Sequence, residues 1–218
     1  MNVPITYGKY YHIYNRGNNG DNIFINDEDY LHFLDLYSVY IDSIAYTFAW
    51  CLMKNHFHIL VRIKNEDEIG YLDNRTSKSN NLHLKWKTTI RDLGDSNFIN
   101  KPLPFRQFQH FFNAYAKYFN KRNERTGSLF ENSFDRKFVN HKKYFQNIVT
   151  YIHQNPVKHG FAEHILEYPW TSYLTVLSFE PTNIKRDEVL FSFGGIDNYI
   201  KLHNKNQNNS SIEHLIME

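Results

Sequence analysis

Apolar residues along the chain fall into short blocks, and the period within each block names the element it should form. "YYHIYNRG" alternates β-forming residues up to Gly17, which predicts a strand over Tyr10 to Asn15 followed by a turn. The block "DEDYLHFLDLYSVYI" opens on acids and sets Leu31, Leu34 and Tyr37 to Val39 at helical spacing, an amphipathic helix capped near Asn26. "AYTFAWCLM" and "HFHILVRI" read as two strands closed by a tight turn at Lys54 and Asn55. From Lys64 to about Pro104 the chain turns polar and reads as an insertion, with "NRTSKSNN" a loop and Leu82 to Leu93 a short helix. "QFQHFFNAYAKYFNKRN" then places Phe108, Phe111, Phe112, Tyr115 and Phe119 on one helical face, with Asn113, Lys117 and Lys121 opposite. "GSLFENSFDRKFV" is strand-like. The last strong block, "NHKKYFQNIVTYIHQNPVKHG", is a helix with Phe145, Ile148, Val149 and Ile152 at core spacing, interrupted at Asn155-Pro156 and ended by Gly160.

The order β-α-β-β-α-β-α, with some strands joined by a hairpin and others through helices, predicts an α+β fold: an antiparallel-rich sheet with helices packed on one face. One main domain is expected over 1–178, with the insertion at about 64–104. A weakly patterned C-terminal extension covers 179–218, and its "NKNQNNSS" has the composition of a disordered segment. Composition narrows the class: 18 Phe, 16 Tyr and 3 Trp in 218 residues are ample for a buried core. The single cysteine, Cys51, lies in an apolar run and excludes a disulfide framework or a multi-cysteine zinc site. With no signal-peptide start and no window of membrane-spanning length, a soluble, cytoplasmic protein is expected. The net charge is only +2, yet between Lys101 and Lys143 ten Lys and Arg face three acids, so that segment is suited to phosphates.

Two short motifs carry chemistry. In a strand His56 and His58 project from one face while Phe57 points the other way, so "HFH" presents two imidazoles side by side that can hold a divalent cation. A pair of half-exposed surface histidines would read the same, because the pattern is short and common. In "YIHQNP", Tyr151 and Asn155 fall on one helical face near the rim of the core. The two could simply pack and turn the chain. His153 should point elsewhere on that helix and be structural.

In order along the chain, "YHIYNRG", "MKNHFHILV", "RTGSLFENSF", "YIHQNPVKHGF" and "YPWTSY" together resemble the single-tyrosine HUH transposases of bacterial insertion sequences, most closely the REP-associated tyrosine transposase branch. The resemblance covers Tyr10 to Tyr173 and implies a ferredoxin- or RRM-like sandwich. It also implies that Tyr151 is the nucleophile and that His56, His58 and Asn155 hold Mg²⁺ or Mn²⁺. The implied activity is nicking and strand transfer of single-stranded or hairpin DNA through a 5′-phosphotyrosine, with a homodimer allowed. Arg16, Lys117, Lys121, Arg122, Arg125, Arg136 and Lys137 are the candidate DNA contacts. Lys54 stands where the family usually has proline, and relatives outside this branch often carry Gln at the position of Asn155. The rival readings are a domesticated hairpin-binding protein that no longer cleaves, and a replication initiator or relaxase with the same chemistry.

Overall fold

The computed structural model describes residues 4–90 and 96–205. Its centre is a four-stranded antiparallel sheet in the order β2-β3-β1-β7, built from β1 (Tyr10–Arg16), β2 (Ala45–Met53), β3 (His56–Ile63) and β7 (Asp135–Val139). The β2–β3 hairpin turns at Lys54 and Asn55, as its pattern predicts. The strand expected over "GSLFENSFDRKFV" shortens to β7, preceded by a single bridge between Gly17 and Phe130.

Helices cover both faces of the sheet, where the sequence suggested one. On the first face α1 (Asp27–Ile41) and α3 (Pro104–Arg122) pack over Tyr11, Ile13, Phe57, Ile59 and Val61. On the second, α4 (Lys142–Lys158) packs over Ala49, Cys51, Met53 and Leu60. The cause is that successive residues of β2 and β3 are apolar on both parities, so each face has surface to bury. A bulge between Thr47 and Ala49 shifts the register of β2, and Phe48 joins the α4 face against the rings of Tyr10 and Phe145.

Local chemistry sets the helix ends. Asn26 caps α1 by accepting from the Asp29 amide at 3.2 Å, while the Asp29 carboxylate accepts from the Asn26 amide at 3.3 Å, a reciprocal capping box. Helix α4 runs through Asn155-Pro156 to Lys158 without the expected interruption. Pro156 lies in the final turn, where it removes one backbone donor, and the turn still closes through His159 N to Asn155 O at 3.0 Å.

The insertion carries a small sheet of its own, ordered β5-β4-β6 from β4 (Tyr71–Asp73), β5 (Thr88–Thr89) and β6 (Phe98–Asn100). Its helix α2 spans only Leu82–Lys85. The expected extension toward Leu93 runs into 91–95, outside the described residues. After α4 come α5 (Tyr173–Leu177), α6 (Arg186–Phe193) and α7 (Ile196–His203), whose Val176, Val189, Phe193 and Tyr199 are buried in the α4-side core. Most of "NKNQNNSS" lies outside the described residues. The "YPWTSY" segment shields the open edge of β2: Leu52 N donates to Trp170 O and Ser172 N to Trp50 O, both at 2.9 Å.

Candidate active site

His56 and His58 sit on β3 with side chains toward α4, in register with Met53 and Cys51 on β2 and with Arg16 and Tyr14 on β1. Strand parity alone puts them there. Helix α4 crosses this face and lays Tyr151 against them, with the Tyr151 ring centroid 5.4 Å from that of His58. The His56 and His58 rings are 5.3 Å apart and steeply inclined to one another. All four predicted site residues are buried: His56 is 7% exposed, His58 1%, Tyr151 3% and Asn155 0%.

Hydrogen bonds constrain the imidazoles. The Nδ1 of His56 is 2.7 Å from the Asn55 side-chain oxygen, which can only accept, so Nδ1 carries the proton and Nε2 keeps its lone pair. The Nδ1 of His58 is 3.0 Å from Nε2 of His12, a fully buried residue of β1. Donation from His58 to His12 leaves His58 in the same tautomer, with Nε2 again as the nitrogen able to ligate. His12 is the residue that sequence reasoning passed over. Its signal was available: it shares the parity of Tyr10 and Tyr14 in "YYHIYNRG" and so faces the same side of the sheet.

Asn155 supplies the test of whether a cation fits. Its Nδ2 donates to the Tyr151 carbonyl at 3.2 Å, which orients the amide, and its Oδ1 is buried with no hydrogen-bond partner. An unmet buried carbonyl costs about 1–3 kcal/mol, and folds retain such groups where a ligand satisfies them. No group of three or more His, Cys, Asp or Glu among the described residues could hold a metal ion by itself. The remaining donor set is two imidazoles and an amide oxygen, which does not identify one metal by its chemistry, since imidazole suits Zn²⁺ and oxygen donors suit Mg²⁺ or Mn²⁺.

His153 points away from Tyr151, as expected of a residue two positions along a helix. It enters a buried chain: Nε2 is 2.8 Å from Ser172 Oγ, Nδ1 is 3.0 Å from His203 Nε2, and His203 Nδ1 is 2.8 Å from the Tyr199 carbonyl. Burial pushes the His153 pKa well below its ordinary value, and that of His203 down to about 4.

The candidate DNA contacts divide between the two faces. Arg16 and Lys137 share strand parity with the His pair; Arg16 is ion-paired to Glu131 at 2.8 Å, and Lys137 lies over the Tyr14 ring. Lys117 and Lys121 are exposed on α3, on the other side of the sheet. Arg122 pairs with Glu28 and Arg125 with Asp21, while Arg136 stacks over Phe105 and Phe134. The structure thus gathers Tyr151, His56, His58 and Asn155, and leaves the basic face of α3 apart from them. A cavity of about 610 Å³ at the other end of α4 is lined by Tyr10, Phe48, Phe145 and Phe191, and none of the four site residues borders it.

No protein-family model matches the chain. It is 27% identical over 127 residues to a Haemophilus influenzae protein whose name places it among the REP-associated tyrosine transposases. The match covers 58% of each, so the chain spans little more than half the length of that curated relative. The fold is similar to a solved REP-associated tyrosine transposase bound to a REP hairpin, with a TM-score of 0.53 and 14% identity over 83% of this chain and 87% of the other. Among the described residues no helix is long and apolar enough to cross a membrane.

Proposed function

We propose that this chain is a single-strand DNA nickase and strand transferase acting beside a hairpin, with Tyr151 as nucleophile. The observation that carries this reading is the burial of one phenol against the imidazoles of His58 and His12, with His56 beside His58 and an amide oxygen that lacks a partner on the same helix. The curated relative's name and the hairpin bound by the structural neighbour support this reading.

The chain's own groups divide the work. Tyr151 Oη attacks phosphorus, and the P–O3′ bond breaks. The phenolic proton passes to solvent, and the departing 3′ oxygen takes one up. The protein is then joined to the 5′ phosphate, and because one phosphodiester has been exchanged for another, a free 3′-OH can reverse the step on a second DNA end. His12 and Asn55 hold the His58 and His56 rings in the tautomers that leave both Nε2 atoms able to ligate. The Asn155 amide, tied to the Tyr151 carbonyl, keeps its oxygen beside the nucleophile's own turn of helix. His56, His58 and Asn155 would hold a divalent cation, Mg²⁺ or Mn²⁺, which would neutralise phosphate charge.

The test is incubation of the protein with labelled single-stranded hairpin DNA and Mg²⁺ or Mn²⁺. A denaturation-resistant adduct is expected, and Tyr151→Phe should abolish it. Hairpin binding without any adduct from the native chain would instead favour a non-cleaving binder.

A further inference from the structure

The four site residues are buried, and the exposed residues next to them come from two separate elements. Lys158, in the last turn of α4, places its ammonium 5.4 Å from the Tyr151 ring centroid. His159 follows it with its ring 5.0 Å from that of His56. From the β2–β3 turn, Lys54 reaches across to the Phe161 ring at 5.5 Å, while Asn55 beside it holds His56. Lys54 and Lys158 are both exposed although Tyr151 and His56 below them are buried.

These two lysines differ from three of the arginines among the candidate DNA contacts. Arg16, Arg122 and Arg125 are each neutralised by an acid of this chain, whereas Lys54 and Lys158 form no ion pair among the described residues. A lysine in the last turn of a helix also offsets the carbonyl end of the dipole, which is reason enough for Lys158 taken singly. That reason does not extend to Lys54, which sits on a hairpin at the position where the resembling family usually has proline. Lys54 and Lys158 are thus two exposed, unneutralised cations from different elements, one over the buried Tyr151 ring and the other on the turn that holds His56, and together they form an anion-binding rim. The anion that must pass there is a phosphate of the substrate.

We infer that Lys54 and Lys158 clamp the phosphate backbone of the single strand that reaches Tyr151, an inference that rests on the reading of the site as a DNA nickase. Neither residue is placed to take part in bond breaking; both position the strand.

The experiment measures binding of the full-length chain to a fluorescent single-stranded hairpin by anisotropy over a range of NaCl concentrations, alongside adduct formation. For single strands each phosphate contact contributes about 0.7 to the slope of log K against log salt. The double variant Lys54→Ala/Lys158→Ala should flatten the slope by about 1.4, each single variant by about 0.7, and Lys201→Ala on α7 not at all. Adduct formation by the double variant should need more DNA for half its maximal rate and reach the native rate at saturation. An unchanged slope, in a variant that still binds and forms adduct, overturns the clamp and leaves the nickase reading standing. A native chain that neither binds the hairpin nor forms adduct overturns both. Lys54→Pro should match Lys54→Ala in slope, separating the lost charge from any change in the turn.

Discussion

The two faces of the central sheet are made from alternate residues of the same strands, yet they do different work. The face under α1 and α3 is a near-continuous aromatic core, in which Phe33, Phe57, Phe111, Phe112 and Tyr115 interlock edge to face and in offset stacks. The face under α4 gives up part of that apolar surface to His12, His56, His58 and Asn155, and leaves the Asn155 oxygen unmet. One step along β3, from Phe57 to His58, crosses from the aromatic face to the face that carries the buried imidazoles. A sheet buried on both sides allows this because each face keeps an apolar core, so the polar groups under α4 are set within one rather than replacing it.

Substitutions on either side should separate these roles. Tyr151→Phe should lose the covalent adduct completely while the thermal midpoint stays close to native; adduct formed at the native rate would remove Tyr151 from the mechanism. On the opposite face Phe57→Ala should cost about 3–5 kcal/mol in urea unfolding, because a fully buried ring leaves a cavity between α3 and the sheet. A cost under 1 kcal/mol would show that this core does not depend on the ring.

Acid should weaken the α4 face through His153 and His203, which the folded chain keeps neutral. An unfolded His203 binds its proton near pH 6.5 and the folded one only at about 4, so its contribution is whole above pH 6.5 and is lost as pH falls to about 4. The loss for that one group is about 3 kcal/mol, and His203→Gln should flatten the stability profile across that window. Equal pH dependence in the variant would assign acid sensitivity to other groups. The smallest effect is expected at His12, which is hydrogen-bonded to His58 and lies edge-on to the Tyr151 ring at 6.2 Å between centroids. His12→Ala should raise the Mn²⁺ concentration for half-maximal adduct by about 10–100-fold with little change at saturating metal. No change would mean that the His58 tautomer is fixed by something else.

Much of this arrangement was legible before any contact was known. The β2–β3 hairpin, the α1 cap at Asn26, the α3 aromatic stripe and the shared face of His56 and His58 follow from periods of two and 3.6 and from side chains that bond within a few residues. The resemblance of five ordered motifs added roles for Tyr151 and Asn155 that spacing alone left open. Helices on both faces were harder to read, because continuous apolar strands such as "AYTFAWCLM" do not say which parity meets which helix. Pro156 looked like a helix breaker, since the sequence does not reveal that it falls in the last turn.

By itself, then, the sequence determined which side chains point together along each element, because that is local geometry repeated every two or 3.6 residues. Tertiary structure alone decided that His12 on β1 meets His58 on β3, that Tyr151 of α4 lies against them, and that Lys54 of the β2–β3 turn meets Phe161 beyond α4. Those meetings join residues 46 to more than 100 positions apart, and only strand pairing and burial of the whole fold bring them within bonding range.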